Sequence, residues 1–188
     1  MSNAIDYEIN KELGECYLFM GEFTKAREYY EKAVSSDGSK ADPHMGLAAI
    51  ALNGGDLQAA LFHYSRANSL ASNDKTLAGM GMVEMEMGSH DSAFGHFRDS
   101  LANNPANMVS INGLVQLGYF LNRLEQVVPF LEEAVQTEEG GTEAVRYTLA
   151  GCYTSLGRDA DAKKQLEHLL GANPANDEAR QLYARFAA

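Results

Sequence analysis

The chain has 188 residues, 45% apolar and 22% charged, the composition of a protein with a buried core rather than of a disordered segment. Lys and Arg number 15 against 26 Asp and Glu, and the net charge of -11 has the wrong sign for a phosphate backbone, so nucleic acid is not expected as a partner. No apolar run approaches the ~18 residues of a membrane span, and Met1 to Asp6 has neither a basic nor an apolar region, so no membrane insertion is expected.

Glycines between apolar-periodic stretches set a period. Gly21, Gly55, Gly88 and Gly157 are separated by 34, 33 and 69 residues, the last being two periods plus one. With each glycine at repeat position 15, residues 1–6 form a leader. Repeats then occupy 7–40, 41–73, 74–107, 108–142 and 143–176, and a remnant 177–188 follows. Residues 1–188 are therefore expected to form one domain. Each repeat reads as two amphipathic helices joined by a turn at the glycine, an all-α array of helix-turn-helix units. Thr24, Asp91 and Asp159 are the expected N-caps of the second helices in the first, third and fifth repeats.

Other columns keep the same phase. Position 7 is large (Leu13, Leu47, Met80, Leu114, Leu149) and position 8 mostly small (Gly14, Ala48, Gly81, Val115, Ala150). Position 20 is Ala26, Ala60, Ala93, Val127 and Ala162, while position 24 is Tyr30, Tyr64, Phe97, Leu131 and Leu166. Small residues let the two helices approach and the bulky residue fills the space beside them. The fourth repeat departs most. It has Gly118 at position 11, Asn122 at the glycine turn, one extra residue in Glu138-Glu139-Gly140-Gly141, and Pro129 within its second helix. Proline there predicts a late start or a kink, and a locally altered superhelix. In the remnant, Ala179, Leu182, Tyr183 and Phe186 form the stripe of a helix that caps the last repeat.

Five such units in phase resemble the tetratricopeptide repeat family over residues 7 to 176. The family's aromatic at position 4 is replaced by Asn10, His44, Leu77, Ile111 and Arg146, and its Tyr at position 11 survives as Tyr17 and Tyr153. The resemblance implies a right-handed superhelical solenoid whose positions 2, 5, 9 and 12 line a concave groove for partners. The middle of that groove is poor in charge and holds Met45, Met82, Met85, Tyr119 and Tyr147, with Phe120 beside it and Asn112 and Gln116 flanking. Thioethers and amphipathic rings suit an adaptable apolar surface, and two amides suit an extended backbone. Met at helical spacing is also common as packing. The subclass of the family that clamps C-terminal carboxylates needs Lys and Asn columns of which only Lys11 and Lys75 are present, so that clamp is not expected.

No constellation of catalytic residues stands out. Nucleophile elbow, zinc-protease helix, phosphate-binding glycine loop and dinucleotide fingerprint are all missing, so neither an enzyme nor a cofactor is expected. His63 and His96, both at position 23, read as an outward-facing polar column rather than metal ligands. Cys16 and Cys152, both at position 10, read as small buried apolar residues of a reducing compartment, which predicts a cytoplasmic protein, with the periplasm as the alternative if a leader was removed. Acidity concentrates in repeats three and four, with Glu132, Glu133, Glu138 and Glu139, so a steered partner should carry a basic flank. The function expected from the sequence is a non-catalytic scaffold that binds a peptide or helix of a partner protein in the groove. The alternative is a self-assembling homo-oligomer, including one that serves bacterial envelope or pilus assembly.

Overall fold

The computed structural model describes residues 2–186, and its described residues form eleven helices and no strand. They fall into two compact units, Met1–Ser100 and Leu101–Ala188. The first unit holds α1 (Ser2–Phe19), α2 (Phe23–Ser36), α3 (Asp42–Asn53), α4 (Leu57–Leu70), α5 (Asp74–Glu86) and most of α6 (His90–Asn103). The second holds α7 (Met108–Phe120), α8 (Leu124–Ala134), α9 (Glu143–Ser155), α10 (Asp159–Ala172) and α11 (Asp177–Ala184). Within each unit helices pack on their neighbours in the chain, α1 on α2, α2 on α3, α3 on α4, and α7 through α11 likewise, so the chain is an all-α helical-repeat solenoid. Residues 2–6, read from the sequence as a leader, instead lengthen α1.

Every intra-repeat turn is built the same way. Gly21, Gly55, Gly88 and Gly157 have φ between 70° and 76°. In the second repeat Gly55 N donates to the Leu52 carbonyl at 3.0 Å and Asp56 N to the Ala51 carbonyl at 2.9 Å, the paired bonds of a Schellman motif. Asn122 does the same work in the fourth repeat at φ 56°, with its own N–H 3.3 Å from the Tyr119 carbonyl and Arg123 N 2.7 Å from the Gly118 carbonyl. Asn is the residue other than glycine that tolerates this region best. A Cβ at Gly55 would touch nothing within 4 Å, so its substitution costs conformational strain alone. Gly55→Ala should therefore destabilise by about 1–2 kcal/mol and Gly55→Asn by less. Urea unfolding of the two variants checks that order.

Because the backbone of the turn fixes where each second helix begins, the N-caps differ from expectation. Thr24 and Asp91 lie inside the first turns of α2 and α6, and Asp159 is the first residue of α10. Side-chain caps appear mainly on first helices. Asn73 accepts from Thr76 N while Thr76 Oγ1 accepts from Asn73 N, and Asn107, Thr142 and Asn176 each accept from the N–H three residues on.

The core follows the repeat columns. Ala26, Ala60, Ala93, Val127 and Ala162 are all fully buried, as are Phe97, Leu149 and Leu166. Tyr30 lies between two glycines: a Cβ at Gly14 would come within 2.7 Å of its ring, and one at Gly46, in the next repeat, within 2.3 Å. Tyr64 meets Gly79 of the following repeat in the same way, at 2.3 Å. Position 6 is thus a socket for the preceding repeat's aromatic, a column the sequence reading left without a role.

The fourth repeat keeps its register by exchange of volumes. α8 begins at Leu124, the same repeat position as Phe23, Leu57, His90 and Asp159, so the late start expected from Pro129 is not found. The helix runs through Pro129 and ends early, at Ala134, with 11 residues where the other second helices have 14. Val127 stands where the others have alanine, and Gly118 opposite makes room for it: a Cβ at Gly118 would lie 2.5 Å from Val127 Cγ2. The extra residue is absorbed in an ordered turn. Thr137 Oγ1 donates to the Ala134 carbonyl at 2.9 Å and accepts from Gly140 N at 2.8 Å, and Arg146 Nη2 donates to the Val135 carbonyl at 3.0 Å.

Candidate functional site

The surface that the first helices leave open carries recesses in each unit. In the first unit Met82 and Met85, two residues of α5 one turn apart, share a largely apolar cavity of about 420 Å³ with Leu52, Gly55 and Leu57, and Glu86 at its edge is the one charged residue of the lining. Both methionines are half-buried. Met45 lies in a separate recess of about 290 Å³ lined also by Tyr30, Gly46, Ala49, Glu15 and Asp42. Burial pushes the Tyr30 phenol up to about 12, so the ring enters that recess uncharged at any physiological pH.

In the second unit Tyr119 and Tyr147 share a recess of about 260 Å³ with Gly151 and Ser155 of α9 and Glu178 and Arg185 of the C-terminal segment. The Tyr119 hydroxyl sits 3.1 Å from Ser155 Oγ at the end of α9, which ties the ring to that helix. Burial raises the Tyr119 phenol and also the Cys152 thiol beside it, so both stay protonated. Asn112 and Gln116 lie one turn apart on α7, exposed and without a side-chain hydrogen bond to other described residues. Their amides are open to a backbone. Phe120 is 68% exposed at the end of the same helix.

Of the sequence-predicted residues, the structure therefore joins Met82 with Met85 and Tyr119 with Tyr147, and sets Met45 in a recess of its own. Two other readings change. His63 and His96 are not outward-facing: both are half-buried and partnered, His63 Nδ1 3.2 Å from His44 Nδ1 and His96 Nδ1 2.6 Å from Glu84 Oε2. Position 23 of the second helix looks back onto positions 4 and 11 of the first, which the periodicity of one helix alone does not reveal. Burial, then the proximity of cationic neighbours, lowers the pKa of both His44 and His63, so the pair is neutral at pH 7 with one ring donating to the other. Cys16 is exposed whereas Cys152 is buried, because no helix covers position 10 of the first repeat among the described residues.

Among the described residues no helix is long and apolar enough to cross a membrane. Residues 11–74 and 121–186 each match a sequence model of the tetratricopeptide repeat. A curated relative, BBSome complex member BBS4 of Bos taurus, is 29% identical over 110 residues, which is 58% of this chain and 21% of that protein, so the chain spans about a fifth of its length. Among solved structures, PilF of Pseudomonas aeruginosa superposes with a TM-score of 0.73 at 17% identity, covering 97% of this chain and 90% of the other. MamA gives 0.68 at 14% identity over 97% and 96% of the two chains. YrrB, described as a TPR protein with an unusual peptide-binding site, gives 0.66 at 14% identity over 92% and 89%. Helical hairpins in one register, a left-handed turn residue at the same position of each, and sequence matches at both ends lead to one conclusion: the chain belongs to the tetratricopeptide repeat family.

Proposed function

We propose that residues 1–188 act as one array of five repeats and a cap that holds a peptide or helix of a partner protein against its first helices, without catalysis. Proteins built from these repeats are in general non-catalytic interaction scaffolds. The observation that carries the finer reading is the apolar cavity at Met82 and Met85. Two flexible thioethers adapt to different aliphatic side chains, and displacement of water from such a surface supplies affinity without charge. Asn112 and Gln116, exposed and without a side-chain hydrogen bond among the described residues, supply the hydrogen bonds an extended backbone needs, and Tyr119 and Tyr147 offer ring surface. Glu15 and Asp42 beside Met45 favour a ligand with a basic flank.

The test is a pull-down from an extract of the source organism with the wild type and with Met82→Glu combined with Tyr119→Ala, scored by quantitative mass spectrometry. A carboxylate in the apolar cavity should reduce recovery of true partners at least tenfold. Equal recovery by both proteins, each folded by circular dichroism, removes these recesses as the site. Self-assembly through them predicts instead a mass that rises with concentration in light scattering and falls back in the double variant.

A further inference from the structure

α1 is apolar on two opposite faces. At 100° per residue, Tyr7 and Gly14 lie on the side that is buried against the rest of the first unit. The opposite side carries Ile5, Ile9, Glu12, Cys16 and Phe19 in one stripe along the 18-residue helix, with Met20 just beyond its end. Ile5 is 61% exposed, Ile9 52%, Phe19 95% and Met20 62%, and Glu12 and Cys16 are exposed as well. Single exposed apolar residues need no explanation, but Ile5, Ile9, Cys16 and Phe19 on one side of one helix, interrupted by Glu12 alone, make a surface suited to contact.

The later repeats show what kind of contact. In them, the residues at the positions of Ile9 and Cys16 are buried: Pro43 and Ile50 on α3, Thr76 and Val83 on α5, Val145 and Cys152 on α9. The helix packed on each is the second helix of the repeat before, α2 on α3, α4 on α5 and α8 on α9. The element that fits this face is therefore an amphipathic helix. At position 6 its pairing chemistry is also specified. α3 and α5 carry Gly46 and Gly79 there, sockets for the rings of Tyr30 and Tyr64, whereas α1 carries Glu12. An aromatic laid on Glu12 would bury an unpaired carboxylate, at a cost that a Lys or Arg in its place would offset. Lys11, the nearest base on α1, is engaged by Glu8 at 2.8 Å and leaves Glu12 uncompensated.

Charge also decides against a second copy of this chain. α1 laid on α1 would oppose these carboxylates to each other. The second helices carry Tyr30, Tyr64, Phe97, Leu131 and Leu166 at the pairing position, never a base, and α11 has already buried Ala179 and Leu182. We propose that the outer face of α1 is a second docking surface, separate from the recesses of the first helices, that takes an amphipathic helix of another protein with an apolar stripe and Lys or Arg opposite Glu12.

The experiment is fluorescence anisotropy of the full chain with a labelled synthetic helix of about 18 residues, the length of α1, bearing a leucine stripe rimmed by lysine. Two controls accompany it, a scrambled peptide of equal charge and the same stripe rimmed by glutamate. The lysine-rimmed helix should bind at least tenfold more tightly than either control and should slow alkylation of Cys16. Ile9→Glu, on an exposed position that leaves thermal melting unchanged, should weaken binding at least tenfold, Glu12→Lys should shift preference toward the glutamate-rimmed peptide, and Met82→Glu should leave binding unaltered. The proposal falls if the lysine-rimmed helix does not bind, if its binding is indifferent to Ile9→Glu, or if Met82→Glu abolishes it. A dimer that grows with concentration in light scattering and is broken by Ile9→Glu would give the face to a second copy and overturn it equally.

Discussion

Phe97→Ala should lower the unfolding free energy by about 3–5 kcal/mol, the largest single-site effect expected in the first unit. The ring is fully buried, and it occupies space that α5 leaves open only because position 8 is Gly81, where a Cβ would lie 2.8 Å from ring carbons. Truncation removes the transfer free energy of the ring and leaves a cavity between two helices whose backbones are already held by the turn at Gly88. Phe62 provides the contrast. It is a residue of the same type, 65% exposed on α4, and Phe62→Ala should change stability by no more than about 0.5 kcal/mol. Denaturant unfolding followed by circular dichroism distinguishes the two. Comparable losses at both sites would mean that the aromatic column is not the packing element that the repeat spacing makes it.

Gly118→Ala should destabilise by about 1–3 kcal/mol, since the added methyl lands 2.5 Å from Val127 Cγ2 in a fully buried contact between α7 and α8. Val127→Ala alone should cost about 2 kcal/mol through lost burial. Together the two recreate the arrangement of the other repeats, alanine at position 20 facing a residue larger than glycine, and the double variant should be more stable than the sum of the single losses by about 0.5–3 kcal/mol. Additivity within about 0.5 kcal/mol would show that the two volumes are not coupled. This pairing gives a physical account of the irregular fourth repeat. Its glycine and valine are an exchange across one helix contact, and its asparagine at φ 56° preserves the turn that the other repeats make with glycine.

Much of the candidate site was legible from columns. Met82 and Met85 fall at positions 9 and 12, three residues apart on a helix of 3.6 residues per turn, so period alone places them on one face, and Leu52 and Leu57 of the preceding repeat complete the cavity they share. Tyr119 and Tyr147 belong to different repeats, and their common recess depends on α9 placing Gly151 and Ser155 beside the Tyr119 ring. The histidines show the limit of such reading. The spacing of His63 and His96 is periodic, but whether that face of the helix looks outward depends on the angle at which it crosses its partner, and the crossing brings His44 and Glu84 against them.

The sequence by itself determined that the chain is a series of short helix pairs and where the turns inside the pairs fall, because these rest on local rules, while the helix ends, at residues 2–6, at the second-helix N-caps and at the early stop of α8, did not follow from it. Apolar residues recur with the helical period, and a left-handed residue at a fixed interval reverses the chain wherever it occurs. Only the tertiary structure decided which repeated columns are covered. Position 10 is buried as Cys152 and exposed as Cys16. Position 6 is a socket at Gly46 and Gly79, while in α1 the same position holds a carboxylate in the open, at Glu12. The residues of a column share their place in the repeat, but burial depends on the neighbour, and the helix that covers α3 and α5 has no counterpart on α1 among the described residues.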